Sequence, residues 1–433
     1  MHKRSIRRPF FALLLVTIGL QANSAYSIDD AMRRWLVNGA PDPAIVQARD
    51  GSGYHVFATG EGIAIWRSAD LKKWKRTGRV FQEAVPDWAL KAVPGADSIW
   101  APEIQYAHGK YWLYYSVSTF GSQRSVIGLA TNTTLDSSDA DYKWEDQGMV
   151  IESFPGKNDY NAIDPAVLFD DDGKAYLYWG SYWTGLKACE INPKTGKPTS
   201  SQPRTTSIAT RLEVGPPDIE APYVIKRNGW YYLFVSWDFC CAKNDSSYKV
   251  MIGRSRNPLG PFVDRNGRAM ANGRGELLLM GDKRWRGPGH NSALQTKQGD
   301  YLVHHVIDAK HPEEGRILQI RPLTWKAGWP QAGEPLNGES TSGQSPQTMV
   351  GRWAHTVNGT DRYDIFFEPG GLIRGTKGEA RWELKGNQLL MKWKDPRAPG
   401  GFWIDRVKVS QELRSYDGAN QNGTTIQGRF VTR

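Results

Sequence analysis

Cysteine is scarce in this sequence: its 433 residues include three, Cys189, Cys240 and Cys241. No CxxC pair and no cysteine–histidine spacing of the zinc-binding kind occurs, so nothing indicates a structural zinc site. Three cysteines cannot all pair. A bond between the neighbours Cys240 and Cys241 would close a strained eight-membered ring, which is rare. Two free thiols, or a bond from Cys189 to either neighbour, are the alternatives.

Long hydrophobic runs are also few. The run from Phe10 to Leu20 spans 11 residues, which is too short to cross a bilayer as a helix. Small residues follow it, and four basic residues precede it: Lys3, Arg4, Arg7 and Arg8. This order is typical of a secretory signal peptide, so we expect residues 1–25 to be removed and the mature protein to be secreted or periplasmic, without membrane attachment. A buried helix or an uncleaved anchor is the alternative.

Charge of neither sign dominates. Lysine and arginine total 55 against 45 aspartates and glutamates, and the leader supplies four of the ten surplus positive charges. The basic residues form no long block, so no nucleic-acid partner is expected. Hydrophobic residues make up 39% and charged residues 23% of the chain, which excludes a multi-span membrane protein and a disordered chain. We expect a monomer.

Helical periodicity is nearly absent, whereas glycine and aromatic residues are abundant. The chain has 45 glycines, 18 tryptophans and 18 tyrosines. This composition favours β-strands joined by tight turns, and surfaces that stack on flat ligands such as sugar rings.

An internal repeat organises most of the chain. Five segments, roughly 60 residues apart, each begin with a polar or proline-containing opening, followed by an apolar strand, a glycine turn and an aromatic strand. The openings are Asp42-Pro43, Ala101-Pro102, Asp164-Pro165, Glu220-Ala221-Pro222 and His290-Asn291-Ser292, with Ser292 in place of proline. Each repeat has room for four short strands, which predicts a five-bladed β-propeller over residues 26–330. A β-sandwich or a right-handed β-helix is the alternative.

The rest of the chain has a different composition. Residues 331–347 are rich in Gly, Ser, Pro and Gln and are predicted to be a linker. Residues 348–433 contain short apolar segments separated by glycine turns, which predict a small antiparallel, β-barrel-like domain. The predicted fold class is therefore all-β, and nothing in the C-terminal domain indicates catalysis.

Three of the openings carry an acid: Asp42, Asp164 and Glu220. Because the first strand of every blade lines the central axis of a propeller, we expect these carboxyl groups at equivalent positions around one mouth. Burial and like charge raise the pKa of at least one crowded carboxyl group, so one acid can stay protonated while another acts as a base. Hydrolysis of a glycosidic bond uses such a pair. Taken singly, each acid could instead belong to a turn.

The ordered motifs resemble glycoside hydrolase family 43, and within it the endo-acting arabinanases. The segments that match the family are Asp42-Pro43, Trp100-Ala101-Pro102-Glu103, Ile163-Asp164-Pro165, Glu220-Ala221-Pro222, Ile252-Gly253-Arg254-Ser255 and Gly287-Pro288-Gly289-His290-Asn291-Ser292. Those similar to arabinanases are Val235–Cys241, Arg321–Trp325 and Gly328–Pro330. The resemblance implies a secreted hydrolase that cleaves internal α-1,5-L-arabinofuranosidic bonds of plant cell-wall arabinan with inversion of configuration.

The resemblance also implies roles for individual residues. Asp42 would be the general base that activates water, and Glu220 the general acid, while Asp164 would orient Glu220 and raise its pKa. His290 would lie beside a calcium ion held in the central channel mostly through water; a buried structural histidine is the alternative. No organic cofactor is implied. Pro41 stands where the family often has histidine, which bears on the entrance geometry and the preferred linkage.

Two further residues are candidates for contact with sugar. Trp100 could provide a stacking platform beside the acids, and Asn161 could contact sugar hydroxyls. The alternatives are packing between blades for Trp100 and a turn for Asn161. For Trp237 and Phe120, positions in the core are favoured over positions in the cleft.

Other functions stay open at this point. An exo-acting α-L-arabinofuranosidase or β-xylosidase of the same family would have long loops that block one end of the cleft. A catalytically silent glycan-binding propeller would share the fold, but the complete set of acids argues against it. A sucrose- or fructan-acting hydrolase is disfavoured because its usual Asn-Asp-Pro-Asn opening is absent.

Overall fold

The computed structural model describes residues 39–201, 203–212, 217–336, 349, 351–367, 372–375, 380–385, 387–410 and 414–432. The predicted signal peptide and most of the predicted linker lie outside these residues. Five four-stranded antiparallel sheets precede one eight-stranded sheet. The prediction of an all-β chain with a five-bladed propeller and a β-barrel-like C-terminal domain is confirmed. No helix in the described part of the chain is long and apolar enough to cross a membrane.

Each blade is a meander whose four strands pair in chain order. Blade 1 comprises β1 (Ala44–Gln47), β2 (Tyr54–Ala58), β3 (Ala64–Ser68) and β4 (Lys75–Arg79); blade 2 comprises β5 (Trp100–Ala107), β6 (Lys110–Val117), β7 (Ser125–Asn132) and β8 (Glu145–Ser153). Blade 3 comprises β9 (Ala166–Phe169), β10 (Ala175–Trp179), β11 (Leu186–Ile191) and β12 (Thr206–Ala209). Blade 4 comprises β13 (Ile219–Arg227), β14 (Trp230–Trp237), β15 (Lys249–Ser255) and β16 (Glu276–Met280). Blade 5 comprises β17 (Trp285–Thr296), β18 (Gly299–Asp308), β19 (Ile317–Lys326) and β20 (Trp329–Ala332), so the last strand ends two residues after the predicted boundary at 330.

Helical segments in the described residues are short. Helix α1 (Asp87–Ala92) lies between β4 and β5. Short 3-10 helices span Lys243–Asp245, Met270–Asn272, Pro312–Glu314 and Pro399–Gly401.

The blades form a closed ring around their first strands. Strand β1 lies beside β5, β5 beside β9, β9 beside β13, β13 beside β17, and β17 beside β1. Apolar side chains pack together between neighbouring blades. Ile45 and Val56 of blade 1 share one buried cluster with Val303 and Ile320 of blade 5. Second strands such as β6 are buried along nearly their whole length because neighbouring blades cover both faces. The ring therefore fixes the distances between the five strand openings.

The C-terminal domain is an eight-stranded antiparallel sheet in the order β23-β22-β21-β28-β27-β26-β25-β24. Its strands are β21 (Gly351–Val357), β22 (Asp361–Phe367), β23 (Ile373–Arg374), β24 (Ala380–Lys385), β25 (Gln388–Lys394), β26 (Phe402–Val409), β27 (Ser415–Asn420) and β28 (Thr425–Thr432). A bridge between Leu372 and Arg381 joins the two edges of the sheet, which closes it into a barrel.

The structure pairs the two neighbouring cysteines. Cys240 and Cys241 form a disulfide in the loop between β14 and β15, the arrangement that sequence reasoning considered rare. Cys189 on β11 is a free thiol, and burial raises its pKa to about 12. A bond from Cys189 to either neighbour is therefore wrong.

Candidate active site

In every blade a residue with a left-handed backbone lies just before or within the innermost strand. Asp42, Ala101, Asp164, Ala221 and His290 have φ between 44° and 56°. Non-glycine residues adopt this conformation at a cost of about 1–3 kcal/mol, and such strain is concentrated at functional sites. Its recurrence in all five blades identifies the equivalent positions of the repeat.

This backbone equivalence corrects two details of the sequence alignment. Glu220 stands one residue before the left-handed position, so it is not equivalent to Asp42 and Asp164, whereas His290 is. Asn291, rather than Ser292, occupies the place of proline, because Ser292 pairs with the second strand of its blade just as Ala44 does. The offset of Glu220 is visible in the sequence, where Ala221 separates it from Pro222, but the equivalence of His290 is not, because its opening has no proline and its register is set by pairing between strands.

The strained amides are held by the preceding blade. The N–H groups of Ala101, Asp164, His290 and Asp42 donate to Thr59 Oγ1 (2.8 Å), Ser116 Oγ (2.9 Å), Ser236 Oγ (2.8 Å) and His305 Nδ1 (3.1 Å). In blade 4 the pattern differs, because the N–H of Ala221 donates to Oδ2 of Asp164 at 3.1 Å. In the other four blades this hydrogen bond holds the strained backbone, whereas in blade 4 it also fixes the carboxyl group of Asp164.

Asp42 lies among cationic and hydroxyl groups. Thr59 Oγ1 donates to Oδ2 of Asp42 at 2.6 Å, and Nη1 of Arg316 lies 3.2 Å from Oδ1. Burial by itself would raise the pKa of Asp42, but Arg316, His290 and His305 together outweigh it and hold that pKa well below its usual value. Asp42 is therefore ionised at neutral pH and can accept a proton.

Asp164 lies in the opposite electrostatic environment. It is 5% exposed, and burial, followed by the nearby carboxyl groups of Glu220 and Asp42, raises its pKa well above the usual value. Two acids at equivalent positions of the repeat thus have pKa values shifted in opposite directions, because Arg316, His290 and His305 surround Asp42 whereas carboxyl groups surround Asp164.

Glu220 is oriented by two hydroxyl groups. Tyr248 donates to Oε1 at 2.6 Å, and Ser181 donates to Oε2 at 2.8 Å. Because a hydroxyl group can accept as well as donate, this pair can hold the carboxyl group in either protonation state. Gly289 makes room for the tyrosine: a Cβ atom there would lie 2.2 Å from Cδ1 of Tyr248.

The predicted residues meet at one mouth of the propeller. One carboxyl oxygen of Asp164, one of Glu220 and one ring nitrogen of His290 lie within 4.8 Å of one another. Nδ1 of His290 lies 3.4 Å from Oδ1 of Asp42. We call Asp42, Asp164, Glu220 and His290 the acid cluster. It combines an ionised carboxylate, a buried acid of raised pKa and an oriented carboxyl group, which is the equipment of acid–base hydrolysis.

The two predicted sugar contacts differ in position. Trp100 is half-buried at the start of β5, next to the left-handed Ala101, and its Nε1 donates to Ser98 Oγ at 3.1 Å. Asn161 is 3% exposed, and its Oδ1 accepts the hydroxyl of Ser125 at 2.7 Å. This hydrogen bond fixes the orientation of the amide group, and contact of Asn161 with sugar stays a prediction.

Phe120 was expected in the core, and this is wrong: its side chain is 96% exposed in the loop between β6 and β7. The second strand of each blade runs toward the mouth, so this loop lies on the same face as the acid cluster. Trp237 is half-buried, and the guanidinium of Arg211 lies 4.6 Å from the centroid of its ring.

The channel beneath the acid cluster contains further polar groups that could be metal ligands. Pro43, Pro102, Pro165 and Pro222 line it together with Glu103, Tyr223, His290 and Asn291. Neither amide atom of Asn291 has a hydrogen-bond partner within the described residues, and burial raises the pKa of Glu103 to about 8. The buried Oδ1 of Asn291, which has no partner, is the kind of oxygen ligand that a hard cation would satisfy, so this part of the channel fits calcium.

Several residues of the site were not found from the sequence. Thr59, Ser116 and Ser236 end the aromatic second strands, and aligning the repeats there would have identified them. Arg316 and Tyr248 offered no such signal, because they flank loops of unequal length whose positions depend on the closed ring.

Comparison with known proteins agrees with this geometry. The sequence pattern of the glycosyl hydrolases family 43 matches residues 35–330. The chain belongs to this family. The family 43 chain is 41% identical over 300 residues to the extracellular exo-α-(1→5)-L-arabinofuranosidase ArbA of Cellvibrio japonicus, a match that covers 67% of this chain and 85% of the relative.

Two further relatives extend the comparison. Extracellular endo-α-(1→5)-L-arabinanase 1 of Bacillus subtilis is 40% identical over 293 residues, covering 67% of this chain and 86% of the relative. The solved structure of Cellvibrio cellulosa α-L-arabinanase complexed with arabinohexaose has a TM-score of 0.64 at 40% identity, covering 69% of this chain and 96% of that one. The predicted membership of family 43 is thereby confirmed, and this protein is a glycoside hydrolase.

Proposed function

We propose that this family 43 enzyme is a secreted arabinanase that hydrolyses internal α-1,5-L-arabinofuranosidic bonds with inversion. The observation that carries the proposal is the meeting of Asp42, Asp164 and Glu220 around His290. Relatives at 40–41% identity are named for action on α-1,5-linked arabinose and as extracellular proteins, which supports both the substrate and secretion.

The proposed mechanism divides the work among the three acids. Asp42, kept ionised by Arg316, removes a proton from the attacking water. Glu220, aimed by Tyr248 and Ser181, protonates the leaving oxygen. Asp164 orients Glu220 through the N–H of the neighbouring Ala221, which donates to Oδ2 of Asp164, and its raised pKa favours an uncharged carboxyl group there. Inversion requires base and acid on opposite sides of the sugar, with water beside the base.

Calcium in the channel is part of the proposal. His290, Asp164 and Glu220 would hold the ion, mostly through water, since one donor atom of each lies within 4.8 Å of the others. When bound, the ion would supply positive charge that holds the acid cluster in place. Chelation should lower the melting temperature of the full chain, and added calcium should restore it; equal melting temperatures in chelator and calcium would contradict this part.

The test of the main proposal is product analysis. Linear arabinan, branched arabinan and xylan are incubated with the enzyme, the products are sized, and the first anomer formed is recorded by NMR. Short oligosaccharides from linear arabinan and an inverted anomer are expected. Glu220→Gln should lower kcat by about 10²–10⁴-fold, whereas the exposed Glu190→Gln serves as a matched control. A loss of less than about tenfold in Glu220→Gln would contradict the assignment.

An exo-acting arabinofuranosidase is the second candidate, because the 41%-identical relative carries that name. Exo action would be supported if linear arabinan released single sugars, or products of one size, while the mean chain length of the polymer did not fall at early times.

A further inference from the structure

The two ends of the C-terminal barrel differ in their surroundings. At the end where β21 begins, the barrel meets the propeller: Met280 of β16 belongs to the barrel's hydrophobic cluster, which also contains Met349. The positive charge of Arg374 on β23 acts on the buried Asp218 of the propeller. The opposite end, where β21 and β25 finish and β22 and β26 begin, we call the outer end.

Three aromatic side chains face the lumen at the outer end. Trp393 and Trp403 lie directly opposite each other on β25 and β26, so their side chains share one face of the sheet. That face is the inner one, since Met391 and Asp405, two residues along each strand, are buried. Tyr363 pairs with His355 on the same inner face and is 52% exposed. Aromatic surface is therefore accessible inside the rim.

Polar groups lie directly below this rim. The ring of His355 is 5.0 Å from that of Trp393 and 6.5 Å from that of Tyr363. Asp405 accepts Nε1–H of Trp393 at 2.6 Å. Both His355 and Asp405 are 3% exposed, yet His355 Nε2 and Asp405 Oδ2 stand 3.9 Å apart, too far for a hydrogen bond.

Such a polar floor is unusual, because apolar side chains normally fill the lumen of a small barrel. Each of these groups has one hydrogen-bond partner in the barrel, Tyr416 for Nδ1 of His355 (2.7 Å) and Trp393 for Asp405, which offsets part of the cost of burying them. Aromatic faces around a few convergent polar groups at a barrel mouth are the usual composition of a ligand site. The faces can cover the C–H surface of a sugar, and the polar groups can bind its hydroxyls.

We propose that the outer end of the C-terminal barrel is a second, non-catalytic carbohydrate site, which takes a neutral glycan chain. A neutral ligand fits because the central carboxyl group of Asp405 would repel an acidic sugar. The site would hold the enzyme on a polysaccharide while the propeller cleaves it. Only the choice of arabinan as the first probe rests on the proposed function; the site itself rests on Tyr363, Trp393, Trp403, His355 and Asp405.

The experiment is calorimetric titration of the full chain carrying Glu220→Gln, so that the glycan is not consumed. Linear arabino-oligosaccharides are the first probe, with galactan- and xylan-derived oligosaccharides and oligogalacturonate alongside. Two binding sites per chain are expected for the neutral glycan, and one after the further change Trp403→Ala or Tyr363→Ala. Phe402→Ala is the matched control, because Phe402 is 41% exposed on the outer face of the same strand.

The outcomes separate the two proposals. Equal stoichiometry in the Trp403→Ala and Phe402→Ala chains with every neutral glycan, at unchanged near-ultraviolet circular dichroism, would overturn the second site. A Trp403-dependent site for galactan or xylan, together with no cleavage of arabinan by the unmodified enzyme, would retain the second site and reject the proposed substrate. In the chain with Glu220 intact, Trp403→Ala should raise KM for the polymer about fivefold and leave kcat/KM for a short oligosaccharide unchanged.

Discussion

The hydroxyl of Tyr248 lies 2.6 Å from Oε1 of Glu220, while the ring of the same tyrosine stacks on His305 at 5.7 Å and an interplanar angle of 15°. Nδ1 of His305 in turn lies 3.2 Å from Oδ1 of Asp42. One buried side chain therefore connects the proposed acid to the surroundings of the proposed base.

Tyr248→Phe tests this connection. A hydrogen bond to a catalytic carboxyl group contributes about 1.5–3 kcal/mol, so kcat should fall roughly tenfold to a hundredfold while KM stays nearly constant. Steady-state kinetics on soluble arabinan measure both. Tyr54→Phe, on the second strand of blade 1, is the control. An unchanged kcat would show that Ser181 alone suffices to orient Glu220.

Gly289→Ala tests the packing that admits the tyrosine. The new Cβ atom would meet the ring of Tyr248 at 2.2 Å, and overpacking of this kind costs about 1–3 kcal/mol. We expect a lower melting temperature together with a fall in kcat. Gly78→Ala introduces the same group where no atom lies within 4 Å, so its melting temperature and kcat should match those of the wild type. Full activity in Gly289→Ala would contradict a role for the position of the ring.

Arg316→Met tests the charge that keeps Asp42 ionised. Without the guanidinium, the largest of the interactions that oppose burial is lost and the proton affinity of Asp42 rises. kcat/KM at neutral pH should fall roughly tenfold or more, and Arg316→Lys should recover part of the loss because it restores a positive charge. Equal losses in both variants would indicate that the guanidinium acts through its shape instead of its charge.

His304 predicts a dependence of stability on pH. Burial lowers the pKa of His304 to about 3, against 6.5 for a free histidine. Between these values the unfolded chain binds a proton that the folded chain does not. The contribution of His304 to the free energy of unfolding is therefore complete above pH 6.5 and is lost as the pH falls below that value. The loss is about 1.4 kcal/mol per pH unit. His304→Gln should flatten the fall in melting temperature between pH 6.5 and 5, and an unchanged slope would contradict the assignment.

Sequence reasoning located the acids but not their supports. Asp42 and Asp164 were found because proline follows each at the opening of a repeat, and this signal is visible in the sequence alone. Glu220 was found by motif, and its one-residue offset is visible in the sequence because Ala221 separates it from Pro222. Asn161 was named from its type and position, and only the structure shows that its amide oxygen accepts the hydroxyl of Ser125.

The sequence by itself determined the five-fold repeat, the all-β class and the family, because strand periodicity, turn residues and motif order are local properties of the chain. Only the tertiary structure decided that Arg316 faces Asp42 and not Asp164, that Tyr248 reaches Glu220, that Cys240 bonds to Cys241, and that Trp393 and Trp403 face the lumen of the barrel. All of these except the disulfide depend on how separate loops and strands of the chain meet. That meeting is fixed by closure of the ring and of the barrel, which no local pattern encodes.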